Sequence, residues 1–379
     1  MERKLRILQS IREVDQAAWD ALAVPSSSPF VEWTWLDCLE EAACVGPRTG
    51  WLPHHFALFE DDRLVAAAPA YLKGNSEGEF VFDWSWADVA QRMGIKYYPK
   101  LVLAVPFTPA TGDRLLALPG YDRVELARVF TAVAQELARE LPMSSAHVLF
   151  PREAEAALWE EAGMLHRLGV QYHWHNAGYG SWDDFLGSFN SKRRHQLKRE
   201  AAQPAKDGVE IRTLRPDELT RDVADEMHAL YTTTVDKFRW GRRYLNQRLF
   251  RLVAARWKER LAWVTATTKD GRVIASAFNV KKGDRLYGRY WGAHEELPFL
   301  HFNVCYYHGV REAIAQGLAV FEPGAGGEHK RARGFVPTIT HSAHWVKDPR
   351  LAGLLGPHVA REAEAVADYV RGEGPDPEG

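Results

Sequence analysis

Apolar and polar residues alternate along 208–213 (GVEIRT), the period of a strand with one buried face. Pro216 then opens a stretch in which Leu219, Val223, Met227 and Leu230 return at helical spacing, and a second helix is expected over 244–258. Three strand-like runs follow at 261–268, 273–281 and 285–291, divided by the turn sequences Lys269-Asp270-Gly271-Arg272 and Lys282-Gly283-Asp284, which predicts an antiparallel meander. Phe302, Cys305, Tyr306, Val310, Ala313 and Ile314 form one apolar stripe on a helix over 300–316 that stops at Gly317, and Leu318 to Glu322 reads as a further strand. The predicted order is β-α-α-β-β-β-α-β.

The first half repeats that order, with a strand at 4–8, helices at 12–22 and 31–42, and strands at 54–60, 64–73 and 79–84. After an irregular insertion at 85–121 come a helix at 122–140 and a strand at 146–150. HHFALFEDDRLVAAAPAYLK and LAWVTATTKDGRVIASAFNVKK align around their Asp-containing turns. The pattern predicts two copies of one mixed-sheet α/β (α+β) unit, an N-terminal domain at 1–176 and a C-terminal domain at 177–370, then a tail at 371–379 rich in Gly, Pro and acid and expected to fray. A length of 379 residues suits two cores, since a domain runs to about 100–200 residues.

Charge narrows the partners: the formal net charge is −2, so any polyanion must meet a local basic patch. Such a patch stands at Lys192, Arg193, Arg194, Lys198 and Arg199, on a helix begun by the capping sequence Ser181-Trp182-Asp183-Asp184. Either it is a solvated helix face or it meets the phosphates of tRNA or of a nucleotide-linked precursor. Cys38, Cys44 and Cys305 include no CxxC pair, so neither a disulfide framework nor a zinc site is expected, and a reducing cytoplasm fits best. The first residues lack the apolar run of a secretory signal, and no stretch approaches the roughly 20 apolar residues of a membrane span. His173 and His175 share one side of a probable strand without a third ligand, so no metal is expected, and no GxSxG elbow predicts covalent catalysis.

Longer strings carry a resemblance: GPRTGWLPHH (46–55), GEFVFDWSWAD (78–88), YYPKLVLAVPFTPATGDRLL (97–116), LYGRYWGAHEELPFLHF (286–302) and FEPGAGGEHKRARGF (321–335). Together they resemble the FemAB-like family of the GNAT acyltransferase superfamily, bacterial proteins with a role in peptidoglycan biosynthesis or recognition. The resemblance implies tandem GNAT-like acyl-CoA N-acyltransferase folds and an N-acyl- or aminoacyltransferase acting on an amine of a peptidoglycan precursor or related peptide. It leaves two alternatives, a non-catalytic precursor-recognition protein and a coenzyme A-dependent N-acetyltransferase on a small amine. No tightly bound cofactor is implied; the donor is aminoacyl-tRNA or acyl-coenzyme A, and the protein is a monomer or homodimer. No sustained heptad run corresponds to the coiled-coil arm that Fem-type relatives often carry.

Ordinary GNAT enzymes hold a pyrophosphate on a Gly-rich turn at a helix start. The matching segment, Gly292 to Phe299, lacks that cradle, and Glu295 and Glu296 would repel an anion while suiting a helix start or an amine. The loop after the last strand is the strongest candidate: Gly324, Gly326 and Gly327 permit close backbone approach, and Lys330, Arg331 and Arg333 supply cations. Glu322, Glu328 and His329 are expected to orient or deprotonate an attacking amine, and Tyr290 or backbone N–H groups to stabilise an oxyanion. Arg289, Trp291 and His301 are expected at strand and helix ends facing the same cleft, with Trp84, Tyr98 and Lys100 of the insertion as a substrate-binding wall.

Overall fold

The computed structural model describes residues 2–24, 28–237 and 243–373, except the side chain of Glu328, so most of the expected tail lies outside the described residues. It divides into two compact units, Met1–Gln171 with Thr338–Gly379, and Tyr172–Pro337.

The first unit begins with β1 (Arg3–Leu8), α1 (Gln16–Ala23), α2 (Trp33–Glu41), β2 (Trp51–Pro53), β3 (His55–Glu60), β4 (Arg63–Ala68) and β5 (Ala70–Lys73). It continues with α3 (Trp84–Arg92), β6 (Lys100–Leu103), β7 (Leu116–Ala117), α4 (Arg123–Glu140), β8 (Ser145–Leu149), α5 (Glu153–Glu161) and the start of β9 (Leu165–His175). One sheet has the order β1-β3-β4-β7. In the other, β5 lies antiparallel between β2 and β6, and β6 runs parallel to β8 from Leu101↔Ala146 to Leu103↔Val148. The expected strand at 64–73 is therefore two strands. They meet at Pro69, which has no N–H for a ladder, and the chain changes sheet there.

The expected strand at 79–84 is absent. EFVFDW has strand composition, yet Glu79 and Asp83 both turn inward to meet Lys100, and Trp84 starts α3. On α4, Leu126, Phe130, Ala134 and Ala138 bury one stripe against Phe56, Val65, Val148 and Trp159. Asp122 caps that helix by accepting from the N–H groups of Val124 and Glu125.

The second unit contains α6 (Trp182–Gly187), α7 (Ser191–Lys206), β10 (Val209–Thr213), α8 (Arg221–Val235), α9 (Gln247–Arg256), β11 (Val264–Thr268), β12 (Val273–Lys282) and β13 (Arg285–Ala293). Then come α10 (Leu300–Phe302), a π turn at Asn303–Tyr307, α11 (His308–Ala315), β14 (Val320–Glu322) and a 3-10 turn at Glu328–Arg333. The expected helix at 300–316 is thus interrupted, while the predicted order of elements from 209 to 322 is the observed one. The strands run β10-β11-β12-β13-β14, antiparallel until β13 meets β14 in parallel from Arg285↔Val320 to Tyr287↔Glu322. The end of β9 pairs with the other edge of β14, Val320↔His175.

Finally β15 (Val336–Val346) carries the chain back to the first unit, where Ser342↔Leu149 to Val346↔Ser145 join it to β8. The closing helix α12 (Pro349–Arg371) buries Leu351, Leu355 and Val359 beside Trp86 and Tyr97. Each unit is a meander followed by a parallel strand pair with a helical crossover, completed by a strand from the other half of the sequence.

Candidate functional site

In the second unit β13 and β14 part after Tyr287 and Glu322. At Gly288 the turn leaving β14 presses against the strand, where a Cβ would lie 3.1 Å from the Cα of Pro323. Beyond, β13 runs on to Ala293 as one wall of a fork, and the segment from Pro323 to Arg333 forms the other.

Rings connect the walls. Trp291 of β13 lies 4.4 Å from His301, His301 lies 6.0 Å from His329, and Phe302 lies 5.9 Å from His329, centroid to centroid. Tyr306 Oη is 3.0 Å from His329 Nε2. Burial pushes His301 down to about 4, with His329, Lys330 and Arg333 adding to the effect. Burial, Lys330 and Arg333 likewise hold His329 below its ordinary value. Both imidazoles are uncharged at neutral pH, the form that can accept a proton.

The cations of the glycine loop turn inward. Lys330 Nζ donates to the carbonyls of Gly324 at 2.6 Å and Ala325 at 3.3 Å, and burial pushes its pKa down to about 8. Arg333 donates to His329 O at 2.8 Å and to Glu200 Oε2 at 3.0 Å, and its guanidinium lies 3.3 Å over the Phe302 ring. The buried Glu200 also accepts from Tyr307 Oη. Arg331 stays exposed. Gly324, Gly326 and Gly327 have φ of 91, 71 and 94°, so the turn itself demands glycine. At Gly327 a Cβ would stand 2.6 Å from His329 Cε1, so this glycine also makes room for the ring.

Other expected residues lie apart from the rings. Glu322 is buried and accepts from Arg285 Nη1 at 3.0 Å, with His173 Nε2 at 3.9 Å. Glu328 falls outside the described side chains. Tyr290, next to Trp291 on a strand, faces the opposite way and packs 5.1 Å from Tyr231. Arg289 is the unmatched residue of a bulge between Phe278↔Tyr290 and Asn279↔Gly288, and lies 5.5 Å over the Tyr290 ring. Glu295 and Glu296 are held by Arg272 at 2.7 Å and Lys237 at 2.5 Å. Phe302, Tyr306 and Glu200 escape a reading of the sequence alone; the first and second sit in or beside an apolar stripe, which reads as core.

In the first unit the matching fork is filled. The chain leaving β6 folds back so that Gly112 N–H donates to Phe150 O at 3.1 Å, directly after β8. Fully buried Arg114 donates to Ala110 O at 2.8 Å and Gly112 O at 2.9 Å, while Glu155 accepts the N–H groups of Arg114 and Leu115 at 3.0 Å.

Lys100 is buried and donates to Ser76 Oγ at 2.9 Å, Glu79 Oε2 at 2.8 Å and Asp83. Burial opposes its charge, but Glu79 and Asp83 outweigh that and raise its pKa. Tyr98 bonds Ser76 Oγ at 2.7 Å, and Trp84 is exposed.

The basic cluster lies on α7, which has its own cap: Asn190 Oδ1 accepts from Arg193 N–H at 2.9 Å. The Ser181 cap serves the separate α6. Lys192 and Arg199 are exposed, Arg193 donates to Gln196 at 3.0 Å, Arg194 to Phe189 O at 3.0 Å, and Lys198 pairs with Asp183 at 3.1 Å. Burial pushes the Cys305 thiol well up, away from nucleophilic form. Among the described residues no group of three His, Cys, Asp or Glu is disposed to hold a metal, and no helix is long and apolar enough to cross a membrane.

Solved structures share this fold. FemX aligns with a TM-score of 0.54 at 11% identity, over 94% of this chain and all of its own. L-PGS from Bacillus licheniformis gives 0.54 at 9% over 93% and 98%. The C-terminal domain of a putative lysylphosphatidylglycerol synthetase from Agrobacterium fabrum gives 0.57 at 10% over 92% and 97%. At such identities the likeness speaks for the fold alone. No functionally curated protein matches the sequence. The family comparison goes further: residues 10–373 match the FemAB-like family, described by peptidoglycan biosynthesis and recognition, and the chain belongs to that family.

Proposed function

We propose that the fork of the second unit transfers an acyl or aminoacyl group to an amine of a peptidoglycan precursor. The observation that carries this reading is the convergence of His301 and His329, uncharged, on rings joining the two walls. In the reaction the neutral amine attacks the carbonyl carbon of an activated ester or thioester. A C–N bond forms, the nitrogen gives its proton to His329, and the C–O or C–S bond breaks with protonation of the leaving group. Tyr306 orients the imidazole through Nε2, leaving the other ring nitrogen for the proton. Glu322, engaged by Arg285, serves structure in this scheme. The first unit, its fork occupied by its own loop, binds no acyl donor there.

Family membership supports the acceptor class. The donor is aminoacyl-tRNA or acyl-coenzyme A, and the exposed Lys192 and Arg199 suit the former. A second reading, recognition without turnover, has the inward-turned Lys330 and Arg333 in its favour, since neither offers its charge to a donor phosphate. Incubating the protein with a nucleotide-linked muropeptide and each donor, followed by mass spectrometry, separates the readings. Donor-dependent amide product supports transfer; muropeptide binding with no product under either donor overturns it.

A further inference from the structure

We infer that the first unit carries a binding site for a neutral saccharide, in a cavity of about 710 Å³ lined by Trp84, Asp88, Gln91, Lys96, Tyr97 and Tyr98. The site is separate from the acyl-transfer fork and does not rest on it.

Trp84 is 56% exposed and Phe82 52%, two of the few large apolar side chains so exposed among the described residues. Their rings lie 4.9 Å apart, tilted by 32°, and Trp84 itself lines the cavity. Exposing two adjoining large apolar rings together is unfavourable unless something covers them. The cavity beside them is of a size that encloses small ligands.

The wall determines what fits. Asp88 and Lys96 cancel in charge, and neither is ion-paired among the described residues. With Gln91 they supply donors and acceptors without a net field. Tyr98 adds a hydroxyl held by Ser76, and Tyr97 donates to Asp83 at 2.6 Å, which fixes both rings of the floor. Beneath them Glu79 and Asp83 are 4% and 2% exposed, tied to Lys100, and stiffen the floor without reaching the cavity.

A ligand for these surfaces needs a flat apolar face for the rings and an uncharged rim of hydrogen-bonding groups. A sugar ring has both, with its C–H face and its hydroxyls. A peptide lacks the flat face. A nucleotide has one in its base, but its phosphate would find one lysine already offset by a carboxylate. A membrane surface could take up Phe82 and Trp84, but it leaves the polar wall of the cavity without a role.

The test monitors tryptophan emission and calorimetric heat as the full chain is titrated with N,N′-diacetylchitobiose, cellobiose, uridine monophosphate or phosphatidylglycerol vesicles. Saturable binding of either disaccharide, weakened about tenfold or more in Trp84→Ala at unchanged melting temperature, is the expected result. Absence of saturation by both disaccharides up to about 10 mM, equal affinity in the variant, or a response to the nucleotide or vesicles alone overturns the assignment.

Discussion

His329 is the residue on which the proposed chemistry turns. General-base groups contribute about 100- to 10,000-fold to rate, so His329→Ala should lower kcat/KM for amide formation by about 100-fold or more with the fold intact. Its neighbour Gly327 tests the same point without replacing the imidazole. Gly327→Ala puts a methyl group 2.6 Å from His329 Cε1 and at a φ of 94°, so the ring must move. The backbone strain costs about 1–2 kcal/mol, and we expect activity to fall well beyond what that modest loss of stability explains. Equal kcat/KM in this variant and the parent would mean that the position of His329 does not matter. Sequence alone places His329, Trp291, His301 and Gly327 in one region, because the crossover and the turn chemistry fix the course of the chain after β14. It does not place Tyr306 or Phe302, whose apolar spacing is that of core residues, nor show that Lys330 spends its charge on carbonyls of its own loop.

At the level of elements, the turn after β14 is fastened to α7 by the Arg333–Glu200 pair, both partners buried. Arg333→Ala leaves the Glu200 carboxylate with Tyr307 and Gln196 as remaining partners. Breaking a buried pair from one side costs about 3–5 kcal/mol, to be read from urea unfolding; a loss below about 1 kcal/mol would show that the pair contributes no fastening. The meander, the crossover helices and the parallel pair are legible from periodicity and turn sequences. Other elements are not: 79–84 looks like a strand because its aromatic residues hide two inward carboxylates, and 64–73 looks continuous because Pro69 is a small signal for a change of sheet. The basic run is legible as a cluster, but not the break after α6 that gives it a helix of its own, capped by Asn190.

For the whole molecule, acid should be destabilising. His147, His173, His301 and His344 are held neutral, the first two pushed by burial down to about 3, His301 to about 4, and His344 well below its ordinary value. In the unfolded chain they titrate near 6.5. Below that pH the unfolded chain binds protons that the native chain refuses, so each fully buried histidine removes up to about 1.4 kcal/mol per pH unit. Glu79 and Glu155, raised by burial to about 7, act oppositely between 4.5 and 7, because the native chain keeps protons that the unfolded chain has released. Four groups outweigh two, so the melting temperature should fall as pH drops from 6.5 toward 4.5; a flat or rising profile would count against the buried neutral histidines. His147 and His344 share one short contact, Nδ1 to Nδ1 at 2.6 Å, which requires one to donate and the other to accept. The proposed chemistry sits at the fork of the second unit, and the most direct measurement of its role is the pH dependence of kcat/KM for amide formation. The account predicts an acid limb below pH 6.5 that disappears, with most of the activity, in His329→Ala. Full activity and an unchanged limb in that variant would contradict it.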